Sequence, residues 1–390
     1  MSKKLNLLTI TGMALLLLPM GLGMAQTNST SPLSNTVIEI DGSALIHREG
    51  WNSNATEPLT MGEIVGTNDV IMPVDFGQVT ILCADGTTSI INQMSGTPSC
   101  GPALSSATDL SGAALSGTRS PINTPTIISP VGKIANTRPS FRWTPIDKAN
   151  NYTLRITTLD SNSKVMQVWM RANLSSTTYS YPTDVPPLVP GDYTITVSAF
   201  AGKQELDKSA LTDEITVVPQ SDVDNLKAEF AKISSAITDA NISKYMQARL
   251  YASDALYSDA ILMLESALNI TSDSNWVLPD PQGLSGLAGS PMPYMLLGDW
   301  YDQLGVTAYA QQFYQAALDV ANTRGKPTAA AQARIALAQY QSFQVARYCL
   351  VQPAVDALQT IDGSDVLLKQ AEDIASDAQT LLGFTPTCST

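Results

Sequence analysis

The chain has 390 residues, 35 of them acidic against 22 basic, for a formal net charge of −13, and 44% of its residues are hydrophobic. A surface this acidic, without a Lys/Arg cluster, repels phosphate backbones and anionic lipid headgroups, so nucleic acid is excluded as the expected partner. The length exceeds what one hydrophobic core serves, and roughly two to four domains are expected.

Lys3 and Lys4 precede an apolar stretch over residues 5–22, and Gly23-Met24-Ala25 places small residues ahead of Gln26. A charged start, an apolar centre and a small-residue cleavage point make residues 1–25 a secretory signal peptide. The alternative is an uncleaved anchor, against which Gly12, Pro19, Gly21 and Gly23 interrupt the stretch. No later segment is apolar enough to cross a bilayer. The mature chain is therefore expected to be exported without a membrane span, to the periplasm, the cell surface or the medium.

Cys83, Cys100, Cys349 and Cys388 all lie in the exported part. Four thiols allow three pairings. Proximity in sequence favours Cys83 with Cys100 and Cys349 with Cys388, bridges that an oxidising compartment preserves, over four buried thiols. Neither pair has the close spacing of a zinc knuckle and His47 is the single histidine, so no metal is expected.

Residues 26–35 are rich in Thr, Ser and Asn, a composition expected to stay disordered. From 36 to 100 short β-branched runs alternate with turns: Val37-Ile38-Glu39-Ile40, Ala44-Leu45-Ile46, Asp69-Val70-Ile71-Met72, Gln78-Val79-Thr80-Ile81-Leu82 and Ser89-Ile90-Ile91. Asp41-Gly42 and Asp85-Gly86 are dipeptides favoured in tight hairpin turns. A small all-β domain is expected. It resembles the FecR-like domain through Asp41-Gly42-Ser43-Ala44-Leu45, Leu59-x2-Gly62-Glu63-Ile64-x4-Asp69-Val70-Ile71 and Gly77-Gln78-Val79-Thr80-Ile81-Leu82-x2-Asp85-Gly86-Thr87. The resemblance implies an envelope-facing module. The membrane segment and cytoplasmic arm of the family's signalling members have no counterpart in the expected mature chain.

Residues 101–124, rich in Ala, Ser, Gly and Thr without helical patterning, read as a flexible linker. From 125 to 219 a second β pattern follows, through Pro139-Ser140-Phe141-Arg142-Trp143, Asn151-Tyr152-Thr153-Leu154-Arg155-Ile156, residues 165–170, Thr178-Tyr179-Ser180-Tyr181, residues 193–199 and residues 214–218. Its spacing suits a seven-stranded sandwich. With Trp143 as an early core aromatic and Leu188-x-Pro190-Gly191-Asp192-Tyr193 near a late strand corner, the segment resembles a divergent fibronectin type III or immunoglobulin-like module. Trp143, Tyr152 and Tyr193 are expected in its core, with exposed sugar-stacking aromatics as the alternative.

Residues 221–390 read as helical, opened by a capping box at Ser221-Asp222-Val223-Asp224. Tyr294-x2-Leu297-Gly298-x2-Tyr301, followed by Gly305, Ala310, Tyr314 and Ala317, resembles a tetratricopeptide helix pair. Gly298 would let the second helix approach closely. A weaker copy, Ala248, Tyr251, Tyr257, Ala260, Leu264 and Ala267, precedes it at an offset of 50, against a family repeat of about 34. The surplus falls between 273 and 293, where Trp276, Pro279 and Pro281 mark an irregular excursion that is either a functional loop or a spacer. Residues 328–348 and 365–382 read as further helical regions, with 353–358 in a short helix between them.

No constellation for catalysis stands out. His47 sits in an expected strand, no nucleophile elbow or phosphate loop is present, and two-carboxylate hydrolysis lacks a visible scaffold. No enzymatic activity and no cofactor are expected. The leading reading is an exported adaptor that binds a protein partner in the groove of the tetratricopeptide-like helices. Tyr245, Arg249, Tyr294, Asp299 and Asp302 are the contact positions on the first helix of each pair, and Trp276 is a further candidate in the excursion. The alternatives are a cell-wall glycan binder using Trp51 or Trp169, and a structural component that self-associates through its sandwich.

Overall fold

Strand β1 (Thr36–His47) and strand β3 (Val70–Leu82) form one long antiparallel hairpin, with β2 (Glu57–Pro58) on its outer side and β4 (Thr88–Asn92) closing the sheet in the order β2-β1-β3-β4. The computed structural model describes residues 34–52, 54–92, 95–100, 125–206, 212–271, 276–361 and 365–388. The expected signal peptide, most of the segment 26–35 and the expected linker 101–124 lie outside these residues. Alternation packs Val37, Ala44, Ile46, Ile71, Val79, Ile81 and Ile91 into one apolar layer.

Asp41-Gly42 is not a hairpin turn, as its sequence suggested. It lies inside β1, where the register with β3 shifts between Asp41 and Ser43. Gly42 takes φ +83°, and a Cβ on Gly77 opposite would stand 2.6 Å from the Asp41 carbonyl. The positive φ is spent on a bulge that bends both strands, so the expected short strands merge into two long ones. Asp85-Gly86 does turn β3 into β4, and Cys83 is bonded to Cys100 beyond β4.

The next strands are β5 (Ile127–Ser129), β6 (Gly132–Ile134), β7 (Ser140–Trp143), β8 (Asn151–Leu159), β9 (Val165–Leu174), β10 (Thr178–Ser180), β11 (Gly191–Ala201), β12 (Gln204–Glu205) and β13 (Thr212–Val217). They form two sheets, β10-β7-β5 and β6-β13-β11-β8-β9, with β12 on β11 and only β6 and β13 parallel. Ile127, Phe141 and Trp143 from one sheet pack with Tyr152, Leu154, Ile156, Ile195 and Val197 from the other. Trp143 and Tyr152 meet edge-on at 5.7 Å. The buried Tyr193 hydroxyl donates to the Val189 carbonyl at 2.8 Å and accepts from its amide at 3.1 Å, which pins the corner before β11. Strand β9 ends its sheet and exposes Val165, Met166, Val168 and Met170.

The helices are α1 (Gln220–Ser234), α2 (Ala240–Ser253), α3 (Tyr257–Ala267), α4 (Met292–Gln303), α5 (Thr307–Thr323), α6 (Pro327–Ala338), α7 (Gln344–Leu358) and α8 (Asp365–Leu382). The capping box does not form: α1 starts at Gln220, Pro219 takes the cap position without a side-chain bond, and Ser221 falls inside the first turn. Residues 328–348 are not one helix but the body of α6 and the start of α7, separated near 339–343. Helix α7 runs through Pro353, because Val351, Ala354, Val355 and Leu358 bury its apolar face and offset the lost amide.

Helices pair as α2 with α3, α4 with α5 and α6 with α7, and α8 lies on α7. The bridge from Cys349 to Cys388 fastens the segment after α8 to α7, with a loop-closure value of about 4 kcal/mol in the chain-entropy model. Gly298 is required by packing: an added Cβ would stand 2.5 Å from Tyr314 Cε1 and 2.6 Å from its Cδ1. Gly298→Ala is expected to destabilise the chain by about 1–3 kcal/mol in urea unfolding, because displacing a buried ring outweighs the helix propensity gained.

Candidate functional site: the face of the first helices

Helix α2 is capped by Asp239, whose carboxylate accepts from the amides of Asn241 and Ile242. That start sets the phase of Tyr245 and Arg249, one turn apart on one face. Both point at the chain's own first sheet. The Tyr245 hydroxyl donates to the Gly62 carbonyl at 2.8 Å, and Arg249 donates to Thr36 Oγ1 at 2.6 Å and Ser34 Oγ at 3.0 Å. The guanidinium also lies 5.7 Å from the centre of the Tyr245 ring.

The irregular excursion forms part of the same surface. After Trp276 it makes two 3-10 turns, Pro281–Gly283 and Gly286–Gly289. It is fastened to the helices: Trp276 stacks on Phe313 at 5.1 Å and on Tyr294 at 6.4 Å, Gln312 donates to the Trp276 carbonyl, Arg324 to that of Leu284, and Tyr294 to that of Ala288. Leu287 and Ser290, both buried, are thereby placed against residues 60–62. The Ser290 and Thr60 hydroxyls are 3.1 Å apart.

Lys326 completes the face. Gly325, at φ +63°, ends α5, and the Lys326 amide returns to the Ala321 carbonyl at 2.9 Å, which aims the side chain at the sheet. Lys326 is 2% exposed, bonds Glu63 Oε2 and lies 3.9 Å from Glu57. Glu63 also receives Arg48, the Thr60 amide at 2.9 Å and the Thr60 hydroxyl at 2.8 Å. Burial pushes the Glu63 carboxyl up, but Lys326 and Arg48 outweigh it and hold the group below the usual range. Burial dominates at Glu57 and raises its carboxyl despite Lys326. Arg48 also donates to the Ile64 carbonyl and to Asp69, each at 2.9 Å.

Gly62 sits at the centre of the contact with φ +77°, and an added Cβ would stand 2.8 Å from Leu287 Cδ1 and 3.3 Å from the Tyr245 ring. Glycine is needed there for both its conformation and its size.

The remaining sequence candidates serve the helices. Asp299 accepts from Tyr314 at 2.7 Å and its carboxyl is raised to about 6 by burial. Asp302 accepts from Tyr340 at 2.5 Å. Tyr294 and Trp276 form the aromatic base of the excursion. Sequence reasoning missed Lys326, Glu57, Thr36 and Ser34. Gly62-Glu63 is legible in the sequence only as part of a strand-and-turn motif. His47, in β1, lies with Nδ1 2.8 Å from the Ala55 carbonyl.

The sandwich meets the helices at a second buried seat. Arg142 on β7 pairs with Glu265 on α3 through two contacts of 3.2 Å, and Tyr301 on α4 donates to Glu265 at 2.6 Å. Burial, reinforced by Glu265, raises the Tyr301 phenol well above its ordinary range. Ser258 Oγ bonds both the amide and the carbonyl of Val131 at 2.8 Å, and Asp259 accepts from the Ala135 amide at 2.7 Å. One apolar core runs from the sandwich into the helices and includes Ile38 and Leu82 of the first sheet.

No protein-family model matches the chain, and no curated protein matches it. The fold is mixed β and α, with antiparallel sheets followed by helices. Two disulfides fit an oxidising, exported compartment, and no helix among the described residues is long and apolar enough to cross a membrane.

Proposed function

We propose that this chain is an exported, non-enzymatic envelope adaptor whose helical array binds a polypeptide segment of a protein partner. In this reading residues 36–100 are a FecR-like module, 125–219 a fibronectin-like sandwich and 221–390 a short tetratricopeptide-like array. The observation that carries it is that the face of the first helices already engages polypeptide, through a hydroxyl on a backbone carbonyl and an ammonium on a carboxylate. The ring-on-glycine packing of Tyr314 at Gly298 supports the assignment of the array, and the Tyr193 corner supports that of the sandwich.

Self-association is the second reading, favoured by β9. That edge strand offers unpaired backbone groups beside Val165, 64% exposed, and Met166, 50% exposed. Glycan binding has less support at Trp169, whose ring stacks on Tyr179 at 5.4 Å.

A photocrosslinking residue at Met295, which follows Tyr245 by the repeat offset of 50 and is half-buried, tests the adaptor reading in the native envelope. A control at exposed Glu214 on β13 completes the comparison. A defined protein captured from Met295 and not from Glu214 is the expected result. Identical neighbours at both positions, or wall material alone, would overturn it, and copies joined at Lys164 beside β9 by an amine-reactive crosslinker would favour self-association.

A further inference from the structure

We infer that the face of the first helices is a site for an acidic glycine turn, and that the chain's own residues 59–65 occupy it in cis, so a partner binds by displacing them. The inference rests on the adaptor reading and specifies its ligand and its regulation.

The recognition chemistry is specific. Lys326 supplies a buried ammonium for one carboxylate, and Tyr245 supplies a donor for the carbonyl of the residue before it. At that preceding residue φ is +77°, and an added Cβ would press on Leu287 Cδ1 at 2.8 Å and the Tyr245 ring at 3.3 Å. The ligand is therefore a glycine followed by glutamate, the glycine at positive φ. Ser290 adds a hydroxyl partner for the Thr60 hydroxyl on one side, while Arg249 bonds Thr36 and Ser34 beside the turn. These groups come from α2, the excursion and the start of α6, three elements that only the folded array brings together.

The turn behaves as a preorganised ligand because its shape is held by its own sheet. The Gly62 amide donates to the Val37 carbonyl at 2.8 Å and the Val37 amide to the Glu63 carbonyl at 2.9 Å. Arg48 and Thr60 hold the Glu63 carboxylate from the sheet side. None of these bonds involves a helix, so the first sheet holds the turn from its own side. The turn's covalent connection to the helices makes the contact intramolecular, so a free partner has to outbind it. Weakening the resident turn without altering the helices should therefore open the site.

The test uses the full chain and, as probe, a backbone-cyclised peptide of residues 57–69. Glu63→Gln removes the carboxylate from the resident turn and leaves Lys326, Tyr245 and Leu287 untouched. This variant is expected to bind the peptide at least tenfold more tightly than wild type. Thr60→Cys with Ser290→Cys, oxidised, should bind none, and Glu63→Gln with Lys326→Met should lose the gain. A peptide with alanine at the Gly62 position should not bind. Equal binding by wild type and Glu63→Gln, or binding by the oxidised double-cysteine form, would overturn the inference. Far-UV circular dichroism confirms that the helices persist in each variant. Thr60→Ala, which removes one hydroxyl contact to Glu63 and one to Ser290, is expected to tighten peptide binding in the same direction and keeps the test decisive if Glu63→Gln unfolds the first sheet. Absence of peptide binding with capture of a protein at Met295 would sink cis occupation and leave the adaptor reading intact; peptide binding with no capture would do the reverse.

Discussion

Lys326→Met is expected to lower the unfolding free energy at pH 7 by about 3–5 kcal/mol, the usual cost of removing one partner from a buried ion pair. The lysine is 2% exposed, and two carboxylates depend on it. Glu63 keeps Arg48 and Thr60, so much of the penalty falls on Glu57, which burial already raises above the usual carboxylate range with Lys326 opposing. Without Lys326 that rise grows. A raised folded pKa contributes stability that is present below the unfolded value and lost as pH rises through the folded one. The deficit of Lys326→Met should thus shrink as pH falls from 7 toward about 4.5, near the ordinary glutamate range. Glu57→Gln in the same chain should recover part of the loss at pH 7. Urea unfolding of the four chains of this cycle at two pH values measures both effects, and a loss below about 1 kcal/mol, within the range of a surface pair, would show that the ammonium is not the latch.

Arg142→Leu is the second large effect, again about 3–5 kcal/mol, because Glu265 would be left buried with only the Tyr301 hydroxyl. Arg142 and Glu265 are 5% and 3% exposed, and the pair joins β7 to α3. Geometry separates the pair's cohesion from its worth. Arg142→Leu with Glu265→Leu is expected to cost less than the sum of the single changes, since neither charge is left buried alone, while the Tyr301 hydroxyl loses both partners. A double-mutant cycle by thermal unfolding reads the coupling, and additive single effects would remove the pair as the fastener between sandwich and helices.

Several features were legible from local rules. Alternation identified the strand-forming runs on either side of residues 101–124, and 3.6-residue periodicity identified the helices. Sequence proximity favoured both disulfide pairings that the structure contains. Gly298 was readable because a small residue one position after Leu297 and three before Tyr301 leaves a gap that only a neighbouring side chain fills, and Tyr314 fills it. The local errors have local causes. A glycine at positive φ serves a bulge as readily as a turn, so Asp41-Gly42 was misread. The run Ser221-Asp222-Val223-Asp224 lost the cap position to Pro219, one residue before the helix's actual start.

The candidate site was legible only in half. Tyr245 and Arg249 could be placed on a common helix face from their spacing, but not assigned an occupant. Lys326 carries no signal of its own, since a lysine after glycine reads as a solvated residue until Gly325 is seen to turn it toward Glu63. The excursion was recognisable as surplus length in a repeat, and its role as a wall of the seat depends on Leu287 and Ser290 meeting Gly62 and Thr60 from more than two hundred residues away in the chain.

The sequence by itself determined what short-range sterics and burial periodicity encode: a β-rich first half, a helical second half and the helix-pair interlock at Gly298. Only the tertiary structure decided that the three parts share contacts, because the energies involved belong to pairs distant in sequence. Desolvated charges such as Lys326 with Glu63 and Arg142 with Glu265 acquire their strength from burial that the chain creates only on folding.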